Sequence, residues 1–202
     1  MEAYMIDPDL GNVTGAIPNR DQAISPMGRW SLETGGGKKV PEEWLKYWPS
    51  HAVADPKFDT PTAWVTAAGY CVSPEVKDVI EDLAPDVHQF IPLTLEAGPK
   101  GRRKDYTYYS IHVADRADDV DLDKTIEKSA VVWSEMTHNG RTIKYWSKRL
   151  NSPIVLPARS ITGKHIWWNR KCNILLMSGE LHDRLVERGL ASGLKFQKQI
   201  VQ

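Results

Sequence analysis

The stretch LMSGELHDRLVERG, from Leu176 to Gly189, joins the end of an apolar run to the beginning of an amphipathic helix. Ser178 occupies the position of an N-cap residue, whose hydroxyl can accept a hydrogen bond from the first helical turn. Leu181 and Leu185 recur at helical spacing and predict one buried face, and Gly189 is typical of a residue that ends a helix. The stretch therefore predicts a strand, a serine cap and a helix in immediate succession.

The stretch CVSPEVKDVIEDL, from Cys71 to Leu83, repeats this order of features earlier in the chain. Ser73 is its predicted cap, and Pro74 stands at the first helical position, which proline favours. When the two serines are superposed, the apolar helix positions coincide in the pairs Val76 with Leu181 and Ile80 with Leu185. The repeat predicts one mixed sheet that carries two similarly capped helices.

Ser178 and His182 are also spaced so that a serine hydroxyl and an imidazole could meet. A nucleophilic serine at a strand-to-helix turn is normally framed as Gly-x-Ser-x-Gly, a frame that neither LMSGE nor CVSPE supplies. The first helix carries Lys77 where the second carries His182, yet it keeps the same capping pattern. Helix capping is therefore the favoured interpretation, and a small hydrolase that uses Ser178 and a histidine stays as an alternative.

The rest of the chain consists mostly of predicted strands. Residues 130–136 and 141–146 alternate in polarity around Asn139-Gly140, the preferred pair for a tight hairpin turn. Residues 1–61 hold the strand candidate AYMI and the helix candidate PEEWLKYW within Pro-, Gly- and Asn-rich sequence, and they predict an irregular N-terminal arm that packs on the body. Residues 62–202 predict a single α+β body with a mixed, largely antiparallel sheet and two or three helices.

The composition of the chain disfavours several classes of protein. Its 202 residues carry 26 Lys and Arg against 26 Asp and Glu, so the positive field that sequence-independent nucleic-acid binding needs is missing. No apolar run approaches the length of a membrane span, and the beginning of the sequence does not read as a signal peptide. Two cysteines do not suggest a disulfide framework. We expect a cytoplasmic protein that binds neither nucleic acid nor membrane directly, and its oligomeric state stays open.

No residue cluster predicts a catalytic, cofactor-binding or metal-binding site. The six histidines are scattered and do not reach ligand spacing with cysteines or carboxylates. The run TGGGKK, residues 34–39, lacks the glycine spacing, the preceding strand and the Ser or Thr of a phosphate loop. The sequence therefore favours a protein that acts by binding.

Charge is concentrated in two short segments. The acidic segment, DRADDVDLD from Asp115 to Asp123, has five aspartates against one arginine, and the basic turn, KGRRK from Lys100 to Lys104, has four cations. A dense anionic surface can accelerate encounter with a basic protein. The predicted partner contacts in the acidic segment are Asp115, Asp118, Asp119, Asp121 and Asp123. A calcium site is not expected there, because the segment lacks the central glycine and terminal glutamate of a calcium loop.

Several of these motifs together resemble a known family. They are YCVSPEVKDVIEDLAPDVHQFIPLTL, YTYYSIHVADRADDVD, ITGKHIWWNRK and ILLMSGELHDRLVERGLASGLKF. The resemblance that they carry covers about residues 64–196. Their order and content resemble the myxobacterial-type immunity protein family of bacterial polymorphic toxin and type VI secretion systems. The matching motifs look like signatures of a fold and contain no active site.

The resemblance implies a non-enzymatic protein whose partner is a cognate toxin. Such a protein would bind the toxin and occlude its active site or substrate channel. If the toxin were a nuclease, its basic groove would suit the acidic segment. A regulatory or scaffold module that has no toxin is the remaining alternative to this function.

Overall fold

The computed structural model describes residues 1–8, 14–18, 38–46, 48–55, 61–67, 69–127, 131–138, 141–148, 152–170, 172 and 174–202. Within these residues the fold is α+β, and most strand pairings are antiparallel. This confirms the predicted fold class. The strands form two main bodies, a five-stranded sheet and a closed six-stranded barrel.

The five-stranded sheet brings the two ends of the chain together. Its strand order is β14 (Leu194–Lys198), β1 (Ala3–Pro8), β13 (Ile174–Ser178), β12 (Ile166–Asn169) and β8 (Arg116–Ala117). Strand β1 pairs antiparallel with both β13 and β14, so it lies in the interior of the sheet. Strand β8 is short, pairs parallel with β12 and forms one edge.

The barrel is built from strands within residues 14–112. Its strands are β2 (Thr14–Pro18), β3 (His51–Ala54), β4 (Trp64–Thr66), β5 (Tyr70–Val72), β6 (Gln89–Ala97) and β7 (Lys104–His112). The long β6 and β7 form an antiparallel pair that continues over the full length of both strands. A cluster that includes Ala52, Ala54 and Leu95 packs between the barrel strands.

The sheet is buried on both faces, which explains the uninterrupted apolar run that precedes Ser178. Leu175 and Met177 join the main core cluster together with both long helices, while Leu176 between them joins a second cluster that includes Trp167 and Ile154. Side chains alternate between the faces of a strand, so a strand covered on both sides must be apolar at successive positions.

Five helices are present among the described residues. They are α1 (Glu42–Leu45), α2 (Pro74–Leu83), α3 (Leu122–Glu127), α4 (Ala158–Ile161) and α5 (Gly179–Glu187). The two long helices, α2 and α5, contact each other and bury Val76, Ile80, Leu181 and Leu185 in one core. Two or three helices were predicted, and α1, α2 and α5 form where the sequence offered helix candidates. The short α3 and α4 were not anticipated, because one or two turns carry too little periodicity.

Three strands within residues 1–61, the predicted arm, pair inside the two sheets. Strand β1 lies between β13 and β14, and β2 and β3 pair inside the barrel. Strand pairing therefore joins these early residues to residues 62–202, the predicted body. Trp44, Leu45 and Trp48 of the PEEWLKYW segment pack with Val40 and Ile91 in one cluster.

Two smaller strand pairs complete the fold. Strands β9 (Val131–His138) and β10 (Arg141–Lys148) form the predicted antiparallel hairpin, and the Asn139-Gly140 turn itself lies outside the described residues. Strand β11 (Val155–Leu156) pairs parallel with β15 (Ile200–Val201). No helix in the described ranges has the length and apolar character that crossing a membrane requires.

Candidate functional site

The acidic segment is folded tightly against the edge of the five-stranded sheet. The segment includes β8 and ends in the first turn of α3. Asp118 and Asp123 are exposed, Asp115 and Asp121 are partly exposed, and Asp119 is buried at 6% exposure. The expectation of five surface carboxylates is therefore wrong for Asp119.

Asp119 is buried because it satisfies donors in the core. Its carboxylate accepts hydrogen bonds from Trp167 Nε1 at 2.8 Å and from Asn169 Nδ2 at 2.5 Å. Asn169 Oδ1 in turn accepts from the backbone N–H of Cys172 at 2.8 Å. A buried carboxylate keeps its charge at low cost only when donors surround it, and this network fixes the acidic segment to β12.

Two further aspartates of the segment are engaged within the protein. Asp121 Oδ1 accepts from the backbone N–H of Lys124 at 3.2 Å, and Asp121 Oδ2 lies 3.6 Å from the Lys124 ammonium, so Asp121 supports the beginning of α3. Asp115 pairs with Lys164 at 2.7 Å, with 23% of each side chain exposed. Asp118 and Asp123 are the exposed aspartates of the segment, and neither forms an ion pair with a described residue.

Lys164, the partner of Asp115, also lines a groove of about 330 Å³. Lys164, His165, Ser178, Glu180 and Asp183 are among the residues that line it. Ser178 Oγ accepts from the backbone N–H of Leu181 at 3.2 Å, which confirms the predicted cap, and the equivalent Ser73 Oγ accepts from Val76 N–H at 3.4 Å.

The histidine expected to face Ser178 is engaged elsewhere. His182 Nδ1 lies 2.8 Å from Asp183 Oδ1, and its ring stacks on Tyr4 with centroids 4.1 Å apart. The stacking holds helix α5 against the interior strand β1. His182 is thus a packing residue at the helix–sheet contact.

A different histidine, His165, approaches Ser178, with 3.5 Å between its Nδ1 and Ser178 Oγ. Glu180 Oε2 lies 3.9 Å from the same Nδ1 atom. In a catalytic triad the serine and the carboxylate bind opposite nitrogens of the imidazole, so that the ring can relay a proton. The arrangement is therefore not a triad, and the geometry gives the hydrolase alternative no support.

His88 is the most strongly perturbed titratable group near the acidic segment. It is 6% exposed, and its Nδ1 has no hydrogen-bond partner. Burial lowers the pKa of its imidazole to about 4, a shift that nearby Asp115 opposes. His88 is thus neutral at physiological pH and behaves as a core residue.

The remaining candidate groups do not form a chemical site. Among the residues with described coordinates, no group of three or more His, Cys, Asp or Glu side chains is placed to hold a metal ion. Both cysteines are buried free thiols, and burial raises the pKa of Cys71 to about 12. In the basic turn, Arg103 pairs with Glu96 at 3.1 Å, while Lys100, Arg102 and Lys104 are exposed.

Two surface features were not predicted from the sequence. Glu75, Asp78 and Asp82 are exposed along one side of α2, and their helical spacing opposite the apolar positions could have predicted this. The guanidinium of Arg116 lies over the Trp168 ring, 5.7 Å from its centroid. The sequence holds no signal for that contact, because it depends on the pairing of β8 with β12.

One comparison with known proteins identifies a relationship. A family model described as the immunity protein family Imm11 matches residues 2–201. The match includes the early strands β1 and β3 and extends beyond the residues 64–196 that carried the resemblance in sequence. No curated protein matches the chain.

Proposed function

The chain belongs to the Imm11 immunity protein family, and from this premise we propose that it binds a cognate bacterial toxin and covers the toxin's active site or substrate channel. Membership implies toxin neutralisation by a protein that is generally not an enzyme. The family match over nearly the whole chain is the observation that carries the proposal. Inhibition by occlusion requires no catalytic group, only a surface complementary to the toxin.

The acidic segment is the proposed contact surface. Asp118 and Asp123 are exposed and have no ion pair to a described residue, and the partly exposed Asp115 and Asp121 lie on either side of Asp118. A toxin that cleaves nucleic acid has a basic substrate groove, so a nuclease is the proposed toxin class. Asp119 contributes indirectly, because its buried bonds to Trp167 and Asn169 hold the segment in shape.

The proposed setting is the cytoplasm of the toxin-producing cell. There the immunity protein would meet toxin that is made in the same cell or delivered by a neighbour, in a polymorphic toxin system of the myxobacterial or type VI secretion kind. A soluble inhibitor without affinity for nucleic acid or membrane suits this role, and the balanced charge of the chain agrees with it.

Co-expression with the product of the adjacent gene tests the function. We expect the full chain to restore growth to cells that express this toxin and to co-purify with it as a stable complex. A regulatory module that has no toxin would do neither. Failure of both rescue and complex formation would therefore overturn the proposal.

Charge reversal tests the contact surface separately. Replacing Asp118 and Asp123 by Lys should lower the association rate constant with the toxin by about tenfold at low salt, because steering depends on exposed charge. The matched control replaces Asp82 and Glu187, exposed carboxylates on α2 and α5, by Lys. Equal rates for the two double variants would refute the acidic segment as the contact surface.

A further inference from the structure

The single arginine of the acidic segment has an unusual environment. Arg116 belongs to the edge strand β8 and pairs in register with Trp168 of β12. Its guanidinium lies over the indole ring at 5.7 Å from the centroid, and both side chains are partly exposed. Stacking on an aromatic ring fixes the plane of a guanidinium and leaves its donor edge available.

Arg116 has no acceptor in the described part of the chain. Its Nε atom is buried without a hydrogen-bond partner, and no described carboxylate forms an ion pair with its guanidinium. Buried donors in folded proteins are almost always satisfied, so an orphaned one needs an explanation. The indole compensates for part of the lost hydration, but it offers no acceptor.

A second guanidinium adds positive charge close to Arg116. Arg170 follows β12, and its backbone N–H donates to Ala117 O at 2.9 Å, which holds it beside β8. The pKa of Arg116 is lowered first by burial and then by the positive charge of Arg170. Arg170 is exposed, and no carboxylate in the described part of the chain forms an ion pair with either of these two cations.

We propose that Arg116, positioned by Trp168 and reinforced by Arg170, receives a carboxylate side chain of the toxin. This inference rests on the proposed function and adds an anchor to it. A planar guanidinium can bind a carboxylate end-on through two parallel hydrogen bonds from its Nη groups, and this is the mode expected here because the Nε atom is buried. The carboxylate would neutralise the pair of cations. Arginine and tryptophan are also the residue types that dominate the binding energy of protein interfaces.

The neighbouring charges favour a protein carboxylate over a polyanion. Asp118 is exposed close to Arg116 in the sequence, and Asp115 precedes it directly. A nucleic acid or another polyanion would be repelled by these carboxylates. A protein surface can place an acidic side chain on Arg116 and basic side chains on Asp118 and Asp123, and so match both signs.

The test measures the affinity of the purified toxin from the adjacent gene for the wild-type protein and three variants. Arg116→Met keeps the stem and removes the charge, Arg116→Lys keeps the charge and removes the planar fork, and Arg188→Met is the control. Arg188 is exposed at the end of α5 and has no ion pair with a described residue. Unfolding temperatures of all four proteins are measured in parallel.

We expect Arg116→Met to weaken binding by about thirtyfold or more, with Arg116→Lys recovering only part of the loss. Arg116→Met should unfold at the same temperature as the wild type or at a higher one, because it removes an uncompensated half-buried charge. Equal affinities of Arg116→Met and Arg188→Met would overturn the inference. So would a lower unfolding temperature of Arg116→Met without weaker binding, which would mark a structural role.

A toxin that does not bind the wild-type protein would refute the proposed function, and acetate then tests the arginine site by itself. As a carboxylate probe, acetate should shift the Trp168 indole N–H resonance in a saturable way in the wild type and not in Arg116→Met. An identical response of both proteins would overturn the inference independently of the toxin.

Discussion

Replacement of Asp119 separates a structural role in the acidic segment from a role in binding. Asp119→Ala removes the acceptor of two buried donors, Trp167 Nε1 and Asn169 Nδ2. Both donor residues are fully buried, so water does not replace the carboxylate. The neighbouring Asp118→Ala removes the same group from an exposed position and is the matched control.

The expected loss follows from the number of donors left unsatisfied. Each buried donor without an acceptor costs about 1–3 kcal/mol. Asn169 Nδ2 also lies 3.4 Å from Ala117 O and keeps a weak acceptor, so we place the loss for Asp119→Ala at about 2–4 kcal/mol. In a chain of this length, a loss of about 3 kcal/mol lowers the unfolding temperature by about 6–12 °C.

Asp119→Asn gives an intermediate test with nearly unchanged shape. Trp167 and Asn169 donate to different oxygens of the Asp119 carboxylate, so an amide at this position presents its oxygen to one donor and its NH₂ group to the other. The expected order of stability is wild type and Asp118→Ala first, then Asp119→Asn, then Asp119→Ala. Urea unfolding followed by tryptophan fluorescence measures it.

The reasoning would be refuted if Asp119→Ala unfolded within about 0.5 kcal/mol of Asp118→Ala, the range usual for surface substitutions. Asp119 would then have no structural role in the segment. A toxin-binding assay on the same variants adds a second check. Asp119→Ala should weaken binding only under conditions in which the protein is partly unfolded.

Three further predictions concern the cap, a buried histidine and a buried thiol. Ser178→Ala should lose about 1 kcal/mol of stability, as should Ser73→Ala, and neither should alter toxin inhibition measured at a temperature where both are folded. Because the pKa of His88 is about 4 in the folded protein and about 6.5 in the unfolded chain, the unfolded state binds more protons between these values. The contribution of His88 to the free energy of unfolding should therefore be fully present above pH 6.5, and this free energy should fall by up to about 3 kcal/mol towards pH 4. In His88→Leu the dependence of the unfolding free energy on pH should be weaker. Cys71 should resist alkylation by iodoacetamide at pH 8 in the native protein and react on unfolding, because burial raises the pKa of its thiol to about 12; rapid native labelling would contradict this.

The burial of Asp119 shows that a run of charged residues in the sequence does not have to lie entirely on the surface. Five aspartates within nine residues indicate a solvated surface, because carboxylates are rarely buried. Only the fold reveals that Trp167 and Asn169, about fifty residues further along the chain, present N–H donors to one of them. A buried polar network forms across strands, so no local pattern predicts it.

In the N-terminal region, local sequence likewise did not predict which strands pair. AYMI was correctly predicted as a strand from its apolar residues, but the Pro-, Gly- and Asn-rich sequence that follows indicated an irregular arm that packs on the body. In the fold β1 is an interior strand between β13 and β14, almost the full chain length away. Strand formation is a local property, whereas the choice of a pairing partner depends on which distant edges the completed core leaves open.

The sequence by itself determined the fold class, the two serine-capped helices, the hairpin strands and the relationship to immunity proteins. These features depend on residues close together in the chain, on side-chain periodicity and on local hydrogen bonds. The tertiary structure alone decided that His182 packs on Tyr4, that Asp119 is buried and that Arg116 rests on Trp168 without an ion pair to any described carboxylate. Those outcomes depend on contacts between strands and helices that meet only after folding, where burial and the supply of donors and acceptors determine what each charged group can do.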